Sequence, residues 1–225
     1  MMQLNQFDDT AALNQDFAKR LADILRQAIA ERDAAYLVVS GGKTPQALFQ
    51  TLSQTDLPWD KVTVLLADDR WLDANHNDSN ERLVKASLLQ HKAKAARFIS
   101  LYADTASAFD GVAQVLPRVA ALPTFDAVIL GMGEDGHTAS IFPGPDFDAA
   151  IAGPKARRAL GVRPDPLPTN APVNRVTLTG PTLVTARTVT LVLQGKAKRK
   201  VVEQALKQGA SSTLPIGRLL AELDM

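Results

Sequence analysis

Apolar positions follow two rhythms along the chain. Over residues 11–32 they fall at Leu13, Phe17, Leu21, Ile24, Leu25 and Ile29. That three-to-four spacing marks one face of a helix, with Thr10 placed to cap it. Tyr36, Leu37, Val38 and Val39 then form an unbroken apolar run that stops at Ser40, Gly41 and Gly42. A short run bounded by turn residues predicts a strand buried on both faces, as in a parallel sheet. Pro45 suits the first turn of a helix running through Leu48 and Leu52. The alternation then repeats, with strands expected over 62–66, 98–101, 126–130, 176–179 and 189–193. Helices are expected over 80–89, 107–122, 196–207 and 216–223.

Short apolar strands separated by helices predict an α/β fold with a Rossmann-like, doubly wound, mainly parallel sheet flanked by helices on both faces. The stretch holding Pro164, Pro166, Pro168 and Pro172 is too short to divide the chain. It reads as a surface excursion within a single domain over residues 1–225. In open sheets of this kind ligands bind beyond the carboxyl ends of the strands, where strand order reverses.

Composition narrows the functional classes. With 25 Lys and Arg against 24 Asp and Glu, nothing points globally to nucleic acid or an anionic membrane. The absence of cysteine removes thiolate chemistry and disulfides and fits a reducing compartment. The first residues carry neither a basic nor an apolar segment of a secretion signal, and no apolar run approaches a membrane span. A cytoplasmic location is expected, and a monomer, since no apolar stripe is left over.

Three loops leave predicted strand ends carrying chemistry. Ser40, Gly41, Gly42, Lys43, Thr44 and Pro45 join a strand to a helix. They read either as a tight turn with a Thr cap or as an anion cradle, with backbone N–H groups and the helix N-terminus facing the ligand. The spacing matches neither the P-loop nor the dinucleotide fingerprint. Asp68, Asp69 and Arg70 follow the second strand, with Ser79 and Asn80 opening the next helix. Arg70 offers a fork suited to phosphate, and the acids could hold it or act as a base; an ordinary surface ion pair explains them as well. Trp71 reads as packing.

The segment GMGEDGHTAS over 131–140 is the most telling. Gly131, Gly133 and Gly136 let its backbone approach a ligand closely, and it presents Asp135 and His137 together. Histidine is the side chain best suited to proton transfer near neutral pH, and a nearby carboxylate can orient it. His76 and His91 stand in polar surroundings and look incidental. No histidine pair has metal-ligand spacing, so no metal site is expected, and no Gly-x-Ser-x-Gly elbow is present. The residues thus describe an α/β enzyme with an anion cradle, an Arg clamp and an acid/base His, working without a cofactor on a substrate they do not name.

At these residues the chain resembles the glucosamine-6-phosphate isomerase/6-phosphogluconolactonase family. The loop 40–45 is similar to the Ser-Gly-Gly-Ser-Thr-Pro loop of the 6-phosphogluconolactonases. Asp68 to Arg70 with Ser79 and Asn80 resembles their Asp-Glu-Arg and Ser-Asn segments, and GMGEDGHTASIFPG over 131–144 matches their signature closely. The stretches 174–179 and 191–196 also agree in character and order. The resemblance implies hydrolysis of 6-phospho-D-glucono-1,5-lactone to 6-phospho-D-gluconate in the oxidative pentose phosphate pathway, with the sugar-phosphate lactone as sole partner. It implies His137 as the base activating water and Asp135 as its orienter. Gly41, Gly42, Thr44 and Arg70 would hold the phosphate. Amides around Gly133 to Gly136 would be candidates for the oxyanion.

The match has departures. Lys43 replaces the usual Ser, Asp69 replaces Glu, and Leu72 and Asp73 stand where Val-Pro is frequent. A substrate-contacting Lys of some members falls nearest Asn170, leaving Lys43 and Arg175 as candidates for the missing charge. The related deaminases carry a Glu five residues after the loop His, where this chain has Phe142, which cannot transfer a proton. A sugar-phosphate-sensing regulator would need a DNA-reading domain, and only one amphipathic helix without basic bias precedes the first strand.

Overall fold

The five strands β1 (Ala35–Val39), β2 (Val62–Leu66), β4 (Arg97–Ile99), β5 (Ala127–Leu130) and β8 (Val189–Leu191) form one wholly parallel sheet in the order β4-β2-β1-β5-β8. The computed structural model describes residues 2–42, 44–169 and 171–223. β1, β2 and β5 are buried along almost their whole length. That is why they read as continuous apolar runs rather than as alternation.

Helices α1 (Thr10–Arg32), α2 (Gln46–Ser53), α3 (Asn80–Ser87), α4 (Ala108–Ala120), α5 (Phe147–Ile151), α6 (Gly180–Val184), α7 (Lys196–Gln208) and α8 (Pro215–Leu223) complete the layers. The main core runs from Leu21 and Leu25 of α1 through β1 and β2 to Ile129 and Leu178. A smaller cluster of Met132, Ala205, Ile216 and Leu220 sits beneath α7 and α8. No described helix is long and apolar enough to cross a membrane.

Chain order reverses between β1 and β5. The chain steps from β1 outward to β2 and β4, then returns to the other side of β1 with β5 and β8. The loops after β1 and β5 diverge there and open a crevice at the carboxyl ends of the strands.

The local expectations need four corrections. Asp9, not Thr10, caps α1: its carboxylate accepts from the Ala12 amide at 2.7 Å. Thr44 does not cap α2, whose N-cap position is Pro45 with no side-chain bond. The strand expected at 176–179 is β7 (Arg175–Leu178), and it leaves the parallel sheet. It joins β3 (Asp68–Arg70) and β6 (Ala159–Val162) in a separate antiparallel sheet ordered β3-β7-β6. β3 and β6 have little signal of their own. Asp-Asp-Arg has poor strand propensity, and Gly161 inside β6 lies where a Cβ would meet the Ala108 carbonyl at 2.8 Å. Pairing in the folded chain, not local preference, makes them strands. The Pro-rich stretch is the loop joining β6 to β7.

Candidate active site

The crevice encloses about 360 Å³ and gathers the three loops. Gly41, Gly42 and Thr44 line one side, Arg70 and Arg175 the antiparallel sheet, and His137 the loop after β5. Of the residues singled out from the sequence, Lys43 and Asn170 fall outside the described residues.

The β1 loop is shaped for close approach. A Cβ at Gly41 would fall 1.9 Å from the Asn80 side chain, and Gly42 adopts φ +100°, a region that favours glycine. Among the described residues neither the Gly41 nor the Gly42 N–H donates to another group. Both are available to an anion.

β3 divides its three residues among three tasks, because successive strand residues point to opposite faces. Asp69 points inward and is almost fully buried. It accepts from the amides of Arg70, Asn80 and Glu81 and from the Ser79 hydroxyl at 2.7–3.2 Å. It therefore fixes the start of α3 and is not the Arg clamp or base considered above. Burial pushes its carboxyl up to about 6, partly offset by the Asn80 and Glu81 amides. Asp68 lines the crevice and accepts from the Ser140 hydroxyl at 2.6 Å.

Arg70 makes no surface ion pair among the described residues; its guanidinium donates to the Asp78 carbonyl at 2.6 Å and to Asn80 Oδ1 at 3.0 Å. Arg175 is its direct cross-strand partner. The Arg175 guanidinium donates to the carbonyls of Val173 and Ala171. Burial, and then the neighbouring Arg70 charge, pull it down to about 10. Like charges directly opposite on a sheet repel, so this pair is an arrangement that a bound anion relieves.

The loop after β5 brings His137 and Asp135 together. Thr138 and Ile141 form an antiparallel bridge around a tight turn, with Ala139 at φ 49°. The Thr138 hydroxyl donates to the Gly131 carbonyl at 2.8 Å. His137 Nδ1 meets Asp135 Oδ1 at 2.6 Å. Burial tends to raise the Asp135 carboxyl, but the His137 hydrogen bond and charge bring it net below the usual carboxylate range. A ring hydrogen placed on Nδ1 would donate to Asp135 and leave Nε2 as the acceptor.

The amides of Gly133 and Gly136 already donate to the His137 and Gly133 carbonyls. They shape the loop and are not free for an oxyanion.

Four lining residues make contacts that the sequence does not show. Asp68 stood there only as one of a pair. Ser140 is hidden because its partner lies 72 positions away. Phe142 had registered only as the absence of a carboxylate, yet it stacks on His137. Lys198 lines the crevice from the first turn of α7. Cations are disfavoured at a helix N-terminus, and Lys196, Lys198, Arg199 and Lys200 crowded there were the available signal.

The family model for glucosamine-6-phosphate isomerases/6-phosphogluconolactonase matches residues 8–224. A 6-phosphogluconolactonase of Mesorhizobium japonicum is 41% identical over 91% of this chain and 85% of its own length. That of Pseudomonas aeruginosa is 38% identical over 90% and 84%. The crystal structure of a 6-phosphogluconolactonase from Shewanella baltica superposes with a TM-score of 0.89 at 39% identity, covering 96% of this chain and 91% of that one. The match spans nearly the whole chain, and the chain belongs to the glucosamine-6-phosphate isomerase/6-phosphogluconolactonase family.

Proposed function

We propose that the protein hydrolyses 6-phospho-D-glucono-1,5-lactone to 6-phospho-D-gluconate, with His137 as the general base. The observation that carries this reading is the His137–Asp135 pair at 2.6 Å, opening on a crevice lined with cations. The relatives named above supply the substrate class. In this reading Nε2 of His137 takes a proton from water as the water oxygen bonds to the lactone carbonyl carbon. The tetrahedral intermediate then expels the ring oxygen, which receives the proton, and the ring opens to the hydroxy acid. A δ-lactone is already reactive, so positioning and one base account for most of what the protein must supply.

The phosphate falls to the free amides of Gly41 and Gly42, the Thr44 hydroxyl, Arg70 and Arg175. Lys198 lines the same crevice and joins Arg175 as a candidate for the charge missing at position 170. Phe142 in place of a carboxylate argues against the ring-opening isomerisation of the deaminase branch. From the family resemblance we place the activity as the second step of the oxidative pentose phosphate route; composition and the apolar pattern support a cytoplasmic, single-domain monomer.

The test uses lactone generated freshly by enzymatic oxidation of glucose 6-phosphate, with hydrolysis compared to the spontaneous rate at neutral pH. The wild-type protein accelerates it, and His137→Ala lowers kcat by about 10²–10⁴-fold. No acceleration by the wild-type protein defeats the substrate; an undiminished His137→Ala defeats the mechanism.

A further inference from the structure

Asp135 accounts for one edge of the His137 ring but not for its face. There the Phe142 ring lies stacked, with centroids 4.3 Å and planes 27° apart. The stack is built by the backbone. The Thr138–Ile141 bridge places residues 137 and 142 side by side where the chain enters and leaves the turn. Both bridge residues are fully buried, Ile141 in the main core and Thr138 against the Gly131 carbonyl. Phe142 is thus held over His137 by a turn that cannot slide. From a third direction, a Cβ at Gly133 would fall 2.3 Å from Cε1 and Nδ1 of the ring. Asp135 thus holds the Nδ1 edge and Phe142 covers one face, while the ring, 31% exposed, lines the crevice.

An aromatic face carries negative charge density and attracts a cation lying over it. The imidazole is neutral before water is attacked and positive once it has taken the proton. A neighbour that favours only the charged form lowers the barrier without tightening substrate binding.

We propose that Phe142 is a positioning residue for His137, fixing the ring plane so that Nε2 points at the water and favouring the imidazolium formed during attack. The proposal rests on the reading of His137 as general base. Among the described residues, Asp135 on its own loop is bonded to the ring, and Asp68 and Arg70 on β3, Arg175 on β7 and Lys198 on α7 are the charged groups that line the crevice with it. Replacing Phe142 by Leu leaves all of them in place and removes the aromatic face.

The decisive readout is the NMR titration of the histidine rings, which needs no substrate. The chain has three histidines, and a His137→Gln sample assigns the third signal. In Phe142→Leu the His137 midpoint falls by about 0.5, the size of a part-exposed cation–π contact. The lactonase kcat falls by about two- to five-fold with KM little changed, and the acid limb of the kcat/KM profile moves down in step. Phe142→Tyr, which keeps the face, restores both. Phe142→Met serves as the aliphatic variant if Leu does not fold.

An unchanged His137 midpoint in a folded aliphatic variant overturns the proposal. An equal loss in Phe142→Tyr also overturns it, since shape alone would then be responsible. A wild-type protein without lactonase activity defeats the base assignment, while the titration still decides whether Phe142 favours the charged ring.

Discussion

A methyl group at Gly133 would sit 2.3 Å from the His137 ring and 2.4 Å from Asp135 Oδ1. Both side chains are already committed to each other, so one must move. Gly133→Ala is therefore expected to keep the fold and lose activity by roughly 10²-fold, the usual effect of displacing a reacting group by about 1 Å. Circular dichroism together with the lactone assay checks this, and full activity with an intact fold counts against the dyad. The dyad was legible in the sequence because glycines before and between Asp135 and His137 leave few bland explanations. The roles of Asp68 and Asp69 were not legible. Which acid faces the crevice and which faces α3 depends on the pleat of β3, and β3 exists only because β7 pairs with it. Lys198 stayed hidden for a similar reason: nothing local shows that the first turn of α7 faces the crevice.

Among the elements, α3 shows how a buried charge can serve position alone. Four donors converge on the two oxygens of Asp69, and α3 in turn places Asn80 between Gly41 and Arg70. In Asp69→Asn an amide NH₂ replaces one oxygen and faces donors. The variant is expected to lose about 2–3 kcal/mol in urea denaturation and to bind phosphate less well as Arg70 loses its support. The folded carboxyl, at about 6, lies above its ordinary value of 3.8. Native protein thus binds this proton more tightly than unfolded protein. The Asp69 contribution is fully present below about pH 4 and declines as pH rises through 6. Wild type should therefore lose part of its advantage over Asp69→Asn across that interval. An advantage that grows instead would reverse the assignment. The elements best foreseen, α1, β1, β2 and β5, are those whose burial imposes a regular period. The antiparallel sheet was missed because strands of three or four residues containing Asp-Asp-Arg or Gly161 carry no period to detect.

For the molecule as a whole, the mainly parallel sheet was foreseeable from alternation alone, whereas the strand order that sets its point of reversal was not. The crevice's second wall was not, since it belongs to the unforeseen sheet. Net charge hides the electrostatics in the same way: a total near +1 coexists with Arg70, Arg175 and Lys198 around one crevice. Inorganic phosphate at about ten times its Kd should stabilise the fold by about 1.4 kcal/mol, raising Tm by roughly 3–6 °C for a chain of this length. An Arg70→Ala, Lys198→Ala double variant should show little of that rise, and a full rise in its differential scanning fluorimetry would place the anion elsewhere.

The loop bearing His137 is itself a junction. Met132 is set in the small core beneath α7 and α8, and the Gly136 carbonyl accepts from the Ile216 amide of α8. Ser140 is bonded to Asp68 and Thr177 of the antiparallel sheet, and Ile141 is packed into the main core. The loop bearing the histidine is thus tied at once to the small cluster, the antiparallel sheet and the main core, as a survey mark is fixed by three bearings. A fault in any one of them shifts the mark, so catalysis gauges whether the whole molecule has been assembled correctly, and does so before any helix or strand is lost.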